Sequence, residues 1–317
     1  MHAPYGAGEN SYLCHRIAQA WELSKLVRAS VQRGALTLAV LYLLTWLIQL
    51  GDFNFQPDAI SHLLITAHGL LVDSWLEAHP PRAVDASDST LISSSMDRIR
   101  TLGITCNSTW NTWRATRNEA NSKRLDYIFV NRQRCQVTDC RVCFTELVPN
   151  VHCSYSDHFG VTTRVRLHDD PGMQSSNLSV ATFDDISGIA KRYRQREMRQ
   201  SKLRIWHFII SILLFLAVLV GQWWIKPAFG HFIVLFCTVL IMCFGVVDGL
   251  IGFVFMRWEI RALNEFDSEM ALARQVYLWS ECNWYVDSRV PPTFKEYTIL
   301  LFSVLQMKTM FPWWHRV

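Results

Sequence analysis

Apolar and polar positions divide the chain into two unlike halves. In the first, Leu13, Ile17, Trp21, Leu23, Leu26 and Val27 recur at helical spacing with charges between them. That pattern predicts a helix over residues 13–33 packed on a sheet. Residues 35–50 carry no charge, and the run from Gly34 to Gly51 is about long enough to cross a bilayer. Two readings compete here, a span and a short buried strand leading into Gly51-Asp52. The strand is preferred, because a crossing would leave residues 1–33 and Asp52 on opposite sides of the membrane. Pro57 to about Ala67 reads as a helix, and residues 80–98, rich in Pro, Ser and Asp, read as a mobile loop. Asp126–Asn131, Cys135–Val148 and Phe159–Leu167 alternate or run apolar, as strands do. The expectation for this half is an α/β fold with a mixed sheet and helices.

The second half changes character. Residues 169–190 are polar and acidic and read as a linker. Lys191, Arg192, Arg194, Arg196, Arg199, Lys202 and Arg204 follow, opposed only by Glu197. Such a run suits a solvated helix face or a nucleic-acid patch, and its sequel decides the matter. Ile205 to Ile225 is uncharged, Lys226-Pro227 breaks it, and Phe229 to Met256 is apolar apart from His231 and Asp248. Trp206, Trp223, Trp224 and Trp258 stand near the ends, as interfacial anchors do. Two long core helices of a soluble protein are the alternative; a two-helix transmembrane hairpin over 205–256 is preferred. Both outer flanks are basic, which puts them on the cytosolic side. Residues 257–274 continue as a helix of mixed charge, and Phe294–Val317 reads either as an interfacial amphipathic helix or as a shifted reading frame.

Composition sharpens this picture. Charged residues make up 18% of the 317, against roughly 25% in soluble proteins, and the deficit points to a membrane protein. The length allows about two domains. Nine cysteines without a disulfide framework fit a reducing compartment. Cys135, Cys140, Cys143 and Cys153 admit a zinc site, but Cys135 and Cys153 lie in apolar strand contexts, where a free cysteine acts as a small core hydrophobe. The opening residues are polar and turn-forming, so no signal peptide is expected there.

Candidate chemistry gathers at predicted strand ends. Ser156-Asp157-His158-Phe159 offers an imidazole, which titrates near neutrality and can take a proton from water. Lys123-Arg124-Leu125-Asp126 enters a strand, and Gly51-Asp52-Phe53-Asn54 supplies a carboxylate and an amide in a tight turn. Two acids, an amide and a histidine suit hydrolysis of a phosphate ester around a divalent metal. Residues 101–118 hold Asn107, Trp110, Asn111, Trp113 and Arg114, which fits a recognition loop or ordinary aromatic packing.

These pieces resemble, in order and wording, the endonuclease/exonuclease/phosphatase superfamily with the DNase I fold. Within it they are most similar to the neutral sphingomyelinases and the fungal inositol phosphosphingolipid phospholipases C. The matching residues include His2-Ala3-Pro4-Tyr5, Gly51-Asp52-Phe53-Asn54, Asp73-Ser74-Trp75, Gly103-Ile104-Thr105-Cys106-Asn107, Asn111-Thr112-Trp113, Arg124-Leu125-Asp126-Tyr127 and Cys153-Ser154-Tyr155-Ser156-Asp157-His158-Phe159. The resemblance implies residues 1–168 as the later part of a DNase I-like α/β sandwich, with 35–50 an apolar strand whose residues Val40 to Gln49 look foreign, as a retained intron would. Residues 169–204 are then linker and basic juxtamembrane segment, 205–256 the hairpin, and 257–317 a cytosolic tail.

The resemblance also implies roles. His158 is the general base, Asp126 bonds its far nitrogen, and Asp52 and Asn54 hold the phosphoryl group and the attacking oxygen. Asp157 lies near the metal, Mg²⁺, or the phosphate, while Asn107, Asn111 and Trp113 meet the substrate. The implied reaction is Mg²⁺-dependent cleavage of a sphingolipid to ceramide and a phosphorylated head group. It would take place on a membrane with anionic phospholipids, of the endoplasmic reticulum or the mitochondrion, with the catalytic domain cytosolic and no nucleic acid involved. A nuclease or other phosphatase of the superfamily, and an inactive membrane-bound remnant, are the rival readings. The family carries an Asn, the metal-binding Glu and a His in positions that would precede Met1. The chain is therefore expected to be a C-terminal fragment or to have a misassigned start, and to insert in membranes without hydrolysing lipid by itself.

Overall fold

The computed structural model describes residues 12–32, 48–80, 94–131, 135–167, 178–224 and 228–286. Residues 33–47, which hold most of the expected insert, and the tail from residue 287, including the expected interfacial helix, lie outside them. The chain divides into two compact units, Met1–Asp267 and Ser268–Val317.

Helix α1 (Leu13–Gln32) buries Cys14, Ile17, Trp21, Ser24 and Val27, spaced by three and four so that they share one face. Leu26, grouped with that face in the sequence, points to solvent instead. Strands β1 (Ile48–Asp52), β2 (Leu71–Asp73) and β3 (Asp126–Asn131) form a sheet in the order β1-β3-β2. β3 is antiparallel to both neighbours. The expected mixed pairing is therefore absent from the described strands, because β1 and β2 run in one direction with β3 between them.

Tyr127 and Phe129, two apart on β3, turn to the same side and stack with centroids 5.2 Å apart. Phe53 and Phe55 close on them, and His62 adds its ring from α2 (Ile60–Leu63), which runs on as one wide turn to His68. This aromatic core fixes β3 beneath the loops that carry the candidate chemistry.

Part of the expected mobile loop is helical. α3 (Ser74–Ala78) is capped by Asp73, and α4 (Ser95–Leu102) by Ser94, whose hydroxyl accepts from the Asp97 N–H at 3.1 Å. α4 ends at Gly103 with φ +69°, where a Cβ would lie 2.7 Å from the Trp75 ring. Glycine answers both the left-handed backbone and that contact.

Strands β4 (Cys135–Cys143) and β5 (Gly160–Leu167) form an antiparallel hairpin with a bulge between Val137 and Asp139. β4 stops at Cys143 instead of reaching Val148. Phe144 has φ +57°, which takes the chain out of the strand. Cys135 and Cys140 are buried free thiols, and burial pushes both up, Cys140 to about 11. Cys153 is half-buried in the loop after β4 and is not in a strand.

Helix α5 (Val180–Gly221) begins inside the stretch read as linker. Ser179 caps it, and Phe183, Ile186, Ala190 and Tyr193 recur on one buried face. That face meets α1, with the Phe183 and Trp21 rings in edge contact and Cys14 in one cluster with Ala190, Tyr193 and Leu263. The helix then continues through the basic segment without a break, so 204/205 marks a change of surface and not of backbone.

After the 222–224 turn come α6 (Ala228–Leu250), a wide turn at Ile251–Phe255, and α7 (Met256–Val286). Two of these helical stretches are long and apolar enough to cross a membrane, and only 6% and 17% of their most apolar windows are buried within the protein. Core helices of a soluble protein would be mostly buried. α5 approaches α6 and the wide turn after it closely at small residues: Gly245 and Gly249 of α6 lie against Ser211 and Phe208, and Gly252 of the turn lies against Ile205. Asp248 pairs with Arg204 and, at 2.8 Å, with His207.

Candidate active site

His158 lies just before β5, in an isolated bridge with Cys106. Its Nδ1 is 2.8 Å from Oδ2 of Asp126, the first residue of β3. The hydrogen bond to Asp126, with a second to Cys106, favours the charged ring and outweighs burial, so His158 is pushed up to about 11.

Asp52 ends β1 as the register partner of Asp126. Its Oδ1 accepts the Asn54 N–H at 2.9 Å, and Asn54 takes φ +54°, a conformation asparagine tolerates. Partial burial raises the Asp52 carboxyl above its usual range, the Asn54 N–H opposes this, and the charge of Asp126 adds to it.

Asp157 points elsewhere. Its Oδ2 accepts from Arg114 at 2.5 Å. Partial burial would raise this carboxyl, but Arg114 and then His158 hold it below the usual range.

The loop at 107–117 braces the loop before His158. Asn111 is buried: Nδ2 donates to the Ser156 carbonyl at 2.8 Å and Oδ1 accepts the Trp113 N–H at 3.0 Å. Its amide is thus engaged within the protein. Trp113 donates Nε1–H to the Ser154 carbonyl at 2.9 Å and leaves 63% of its surface exposed. Trp110 does the same toward Thr145. Asn107 is half-buried with φ +58°, next to Cys106 and hence beside His158.

The sequence named Arg114 without a role, and its pairing with Asp157 joins segments that nothing local connects. The same holds for Asp73 and Arg124. Arg124 Nη1 reaches both Asp73 oxygens, at 3.0 and 2.8 Å, and His62 Nε2 lies 2.9 Å from Oδ2. Burial raises the Asp73 carboxyl, yet the bonds from His62 and Arg124 hold it below the ordinary range. This buried triad anchors the chain two residues before Asp126.

The donor types here suit a hard cation, but their placement does not complete a site. Among the described residues, no three His, Cys, Asp or Glu side chains gather where they could hold a metal, and Asp157 is held by Arg114. No chemical step is therefore assigned to a metal on these residues.

Residues 4–158 match the Endonuclease/Exonuclease/phosphatase family. The chain is 39% identical over 277 residues to an inositol phosphosphingolipids phospholipase C of Schizosaccharomyces pombe, covering 85% of this chain and 63% of that protein. To the protein of the same name in Saccharomyces cerevisiae it is 34% identical over 291 residues, covering 85% and 58%. A putative neutral sphingomyelinase of Caenorhabditis elegans is 27% identical over 277 residues, covering 84% and 59%. The chain thus spans about three-fifths of the length of these relatives. It carries an Endonuclease/Exonuclease/phosphatase family domain followed by two long apolar helices, and over most of its length it is similar to fungal inositol phosphosphingolipid phospholipases C and to neutral sphingomyelinases.

Proposed function

We propose that the protein is a membrane-anchored phosphodiesterase of phospholipase C type. It cleaves inositol phosphosphingolipids or sphingomyelin to ceramide and a phosphorylated head group. The observation that carries this reading is the 2.8 Å pair of His158 and Asp126 in a domain of this family, on a chain with two apolar helices. An enzyme anchored at a bilayer most simply takes a lipid, which favours this reading over a nuclease.

In this reading His158, through its second nitrogen, takes a proton from water. The water oxygen attacks phosphorus, the bond from phosphorus to the ceramide oxygen breaks, and that oxygen takes up a proton. Asp126 holds the ring through Nδ1 and stabilises the imidazolium that forms, as the acid does behind a triad histidine. Asp52 and Asn54 orient the phosphoryl group, Asn107 and Trp113 meet the lipid, and Asn111 positions the loop that carries Trp113. A divalent cation, Mg²⁺, is the expected cofactor. Asp157 is its candidate carboxylate, and it would hold the cation only if its pairing with Arg114 were given up. The basic outer flanks of the hairpin support a catalytic domain on the cytosolic side, facing anionic phospholipids.

The test is head-group release from vesicles of inositol phosphoceramide or sphingomyelin by the membrane-embedded protein made to the length of its relatives, of which this chain spans about three-fifths, with Mg²⁺ and with a chelator. His158→Ala is expected to lower release by about 10²–10⁴ while membrane attachment persists. Equal release by the variant removes His158 from the base role. No release from either lipid overturns the assignment.

A further inference from the structure

The pair His158–Asp126 joins two segments distant in sequence, and one residue between them touches the backbone of both. Thr105 is fully buried, in the extended stretch after Gly103. Its Oγ1 accepts the backbone N–H groups of Leu125, at 3.2 Å, and of Asp126, at 3.3 Å. Its carbonyl accepts the N–H of Phe159, the residue after His158, at 2.8 Å, and its own N–H donates to the Lys123 carbonyl at 3.0 Å. The next residue, Cys106, bridges to both Lys123 and His158.

A hydroxyl in a fully buried position is unfavourable unless it is bonded, and a valine would fill the same volume. What the hydroxyl adds is an acceptor for two N–H groups at the start of β3. The Leu125 and Asp126 backbone is thereby tied to the residue that also holds Phe159. We propose that Thr105 is the positioning residue that sets Asp126 and His158 within hydrogen-bond distance of each other. The proposal rests on the reading of that pair as the base and its orienting acid. It adds that their geometry depends on a hydroxyl in a third segment.

The test compares Thr105→Val, which keeps the shape and removes the acceptor, with Thr105→Ser, which keeps the acceptor. Two measurements run together. One is kcat and KM for head-group release. The other is the low-field proton signal of the hydrogen-bonded His158 Nδ1–H, in protein labelled with ¹⁵N-histidine in micelles and assigned by its loss in His158→Ala. Thr105→Val is expected to lose or broaden this signal and to lower kcat about ten- to hundred-fold with KM unchanged, as misplacement of a reacting group does. Thr105→Ser is expected to keep the signal and most of kcat. A valine variant with the full signal and wild-type kcat overturns the proposal. If that variant does not fold, Thr105→Cys, a weak acceptor of similar size, takes its place, and an undiminished signal there is equally decisive. If wild-type protein releases no head group, the functional reading fails, and the proton signal alone still decides what Thr105 does.

Discussion

Asp52 and Asp126 are direct partners across the antiparallel pairing of β1 with β3, so two carboxylates share one end of the sheet. Asp126 is bonded to His158, while Asp52, raised by partial burial and by the charge of Asp126, bonds the Asn54 backbone. The two acids are chemically alike and differently placed. In the proposed reaction the first orients the base and the second holds the phosphoryl group.

The rate of a reaction that uses His158 as a base should rise with pH. The ring is pushed up to about 11, so at neutral pH most of it holds its proton, and the neutral fraction grows as pH increases. We expect kcat/KM to climb through pH 6–9 without a plateau. Asp126→Asn removes the main cause of the raised value, so its profile should bend over at lower pH and at a smaller maximum. A profile that falls with pH across this range would instead make His158 a proton donor to the leaving group.

Breaking the buried triad should destabilise the catalytic domain. Arg124→Met leaves the Asp73 carboxylate buried with His62 as its remaining side-chain partner, a loss of about 3–5 kcal/mol for a broken buried ion pair. Chemical denaturation followed by the tryptophan signal measures it. Replacing both ends, with Asp73→Leu added, should cost less than the two single changes summed. Full additivity would show that Arg124 and Asp73 act independently.

Four of the basic residues before the apolar run share a surface. Lys191, Arg192, Arg199 and Lys202 are exposed on α5, and at about 100° per residue they fall within an arc of about 100°. Arg194, Arg196 and Arg204 instead meet Asn264, Glu197 and Asp248 within the protein. Changing the four exposed residues to glutamine should weaken activity on anionic vesicles and flatten its dependence on anionic lipid, since each contributes about 1 kcal/mol near such a surface. Unchanged activity at low salt would reduce the segment to a topology signal.

Acid should loosen the contact of α1 with the wide turn after α2. His68 is buried, stacked on Trp21 with centroids 4.4 Å apart, and 2.8 Å from Ser24 Oγ. Burial, with Arg28 and Lys25 nearby, lowers it to about 4 from 6.5. Between those values the unfolded chain binds the extra proton and the folded one does not. Stability from this group is therefore complete above about pH 6.5 and declines as pH falls toward 4, by on the order of 3 kcal/mol. The thermal midpoint should drop over that window, and His68→Gln should flatten the drop. An equal slope in the variant would assign the acid sensitivity to other groups.

Much of this was legible before any coordinates. The helix at 13–32, the strand at Asp126–Asn131 and the paired apolar helices follow from periodicity and length, which are local properties of the chain. The Asp126, Asp157 and His158 motifs were legible for the same reason, since each is a short run of contiguous residues. Tertiary structure decided which charges meet. It gave Asp157 to Arg114, enclosed Asn111 within the loop, and set Asp73 against Arg124 and His62. It also turned the supposed linker into the start of α5, because Phe183, Ile186, Ala190 and Tyr193 have an apolar surface to cover. Spacing along a chain reports which face a side chain occupies. Which partner waits on that face depends on segments brought together by folding, as Thr105 is brought to Asp126 and Phe159.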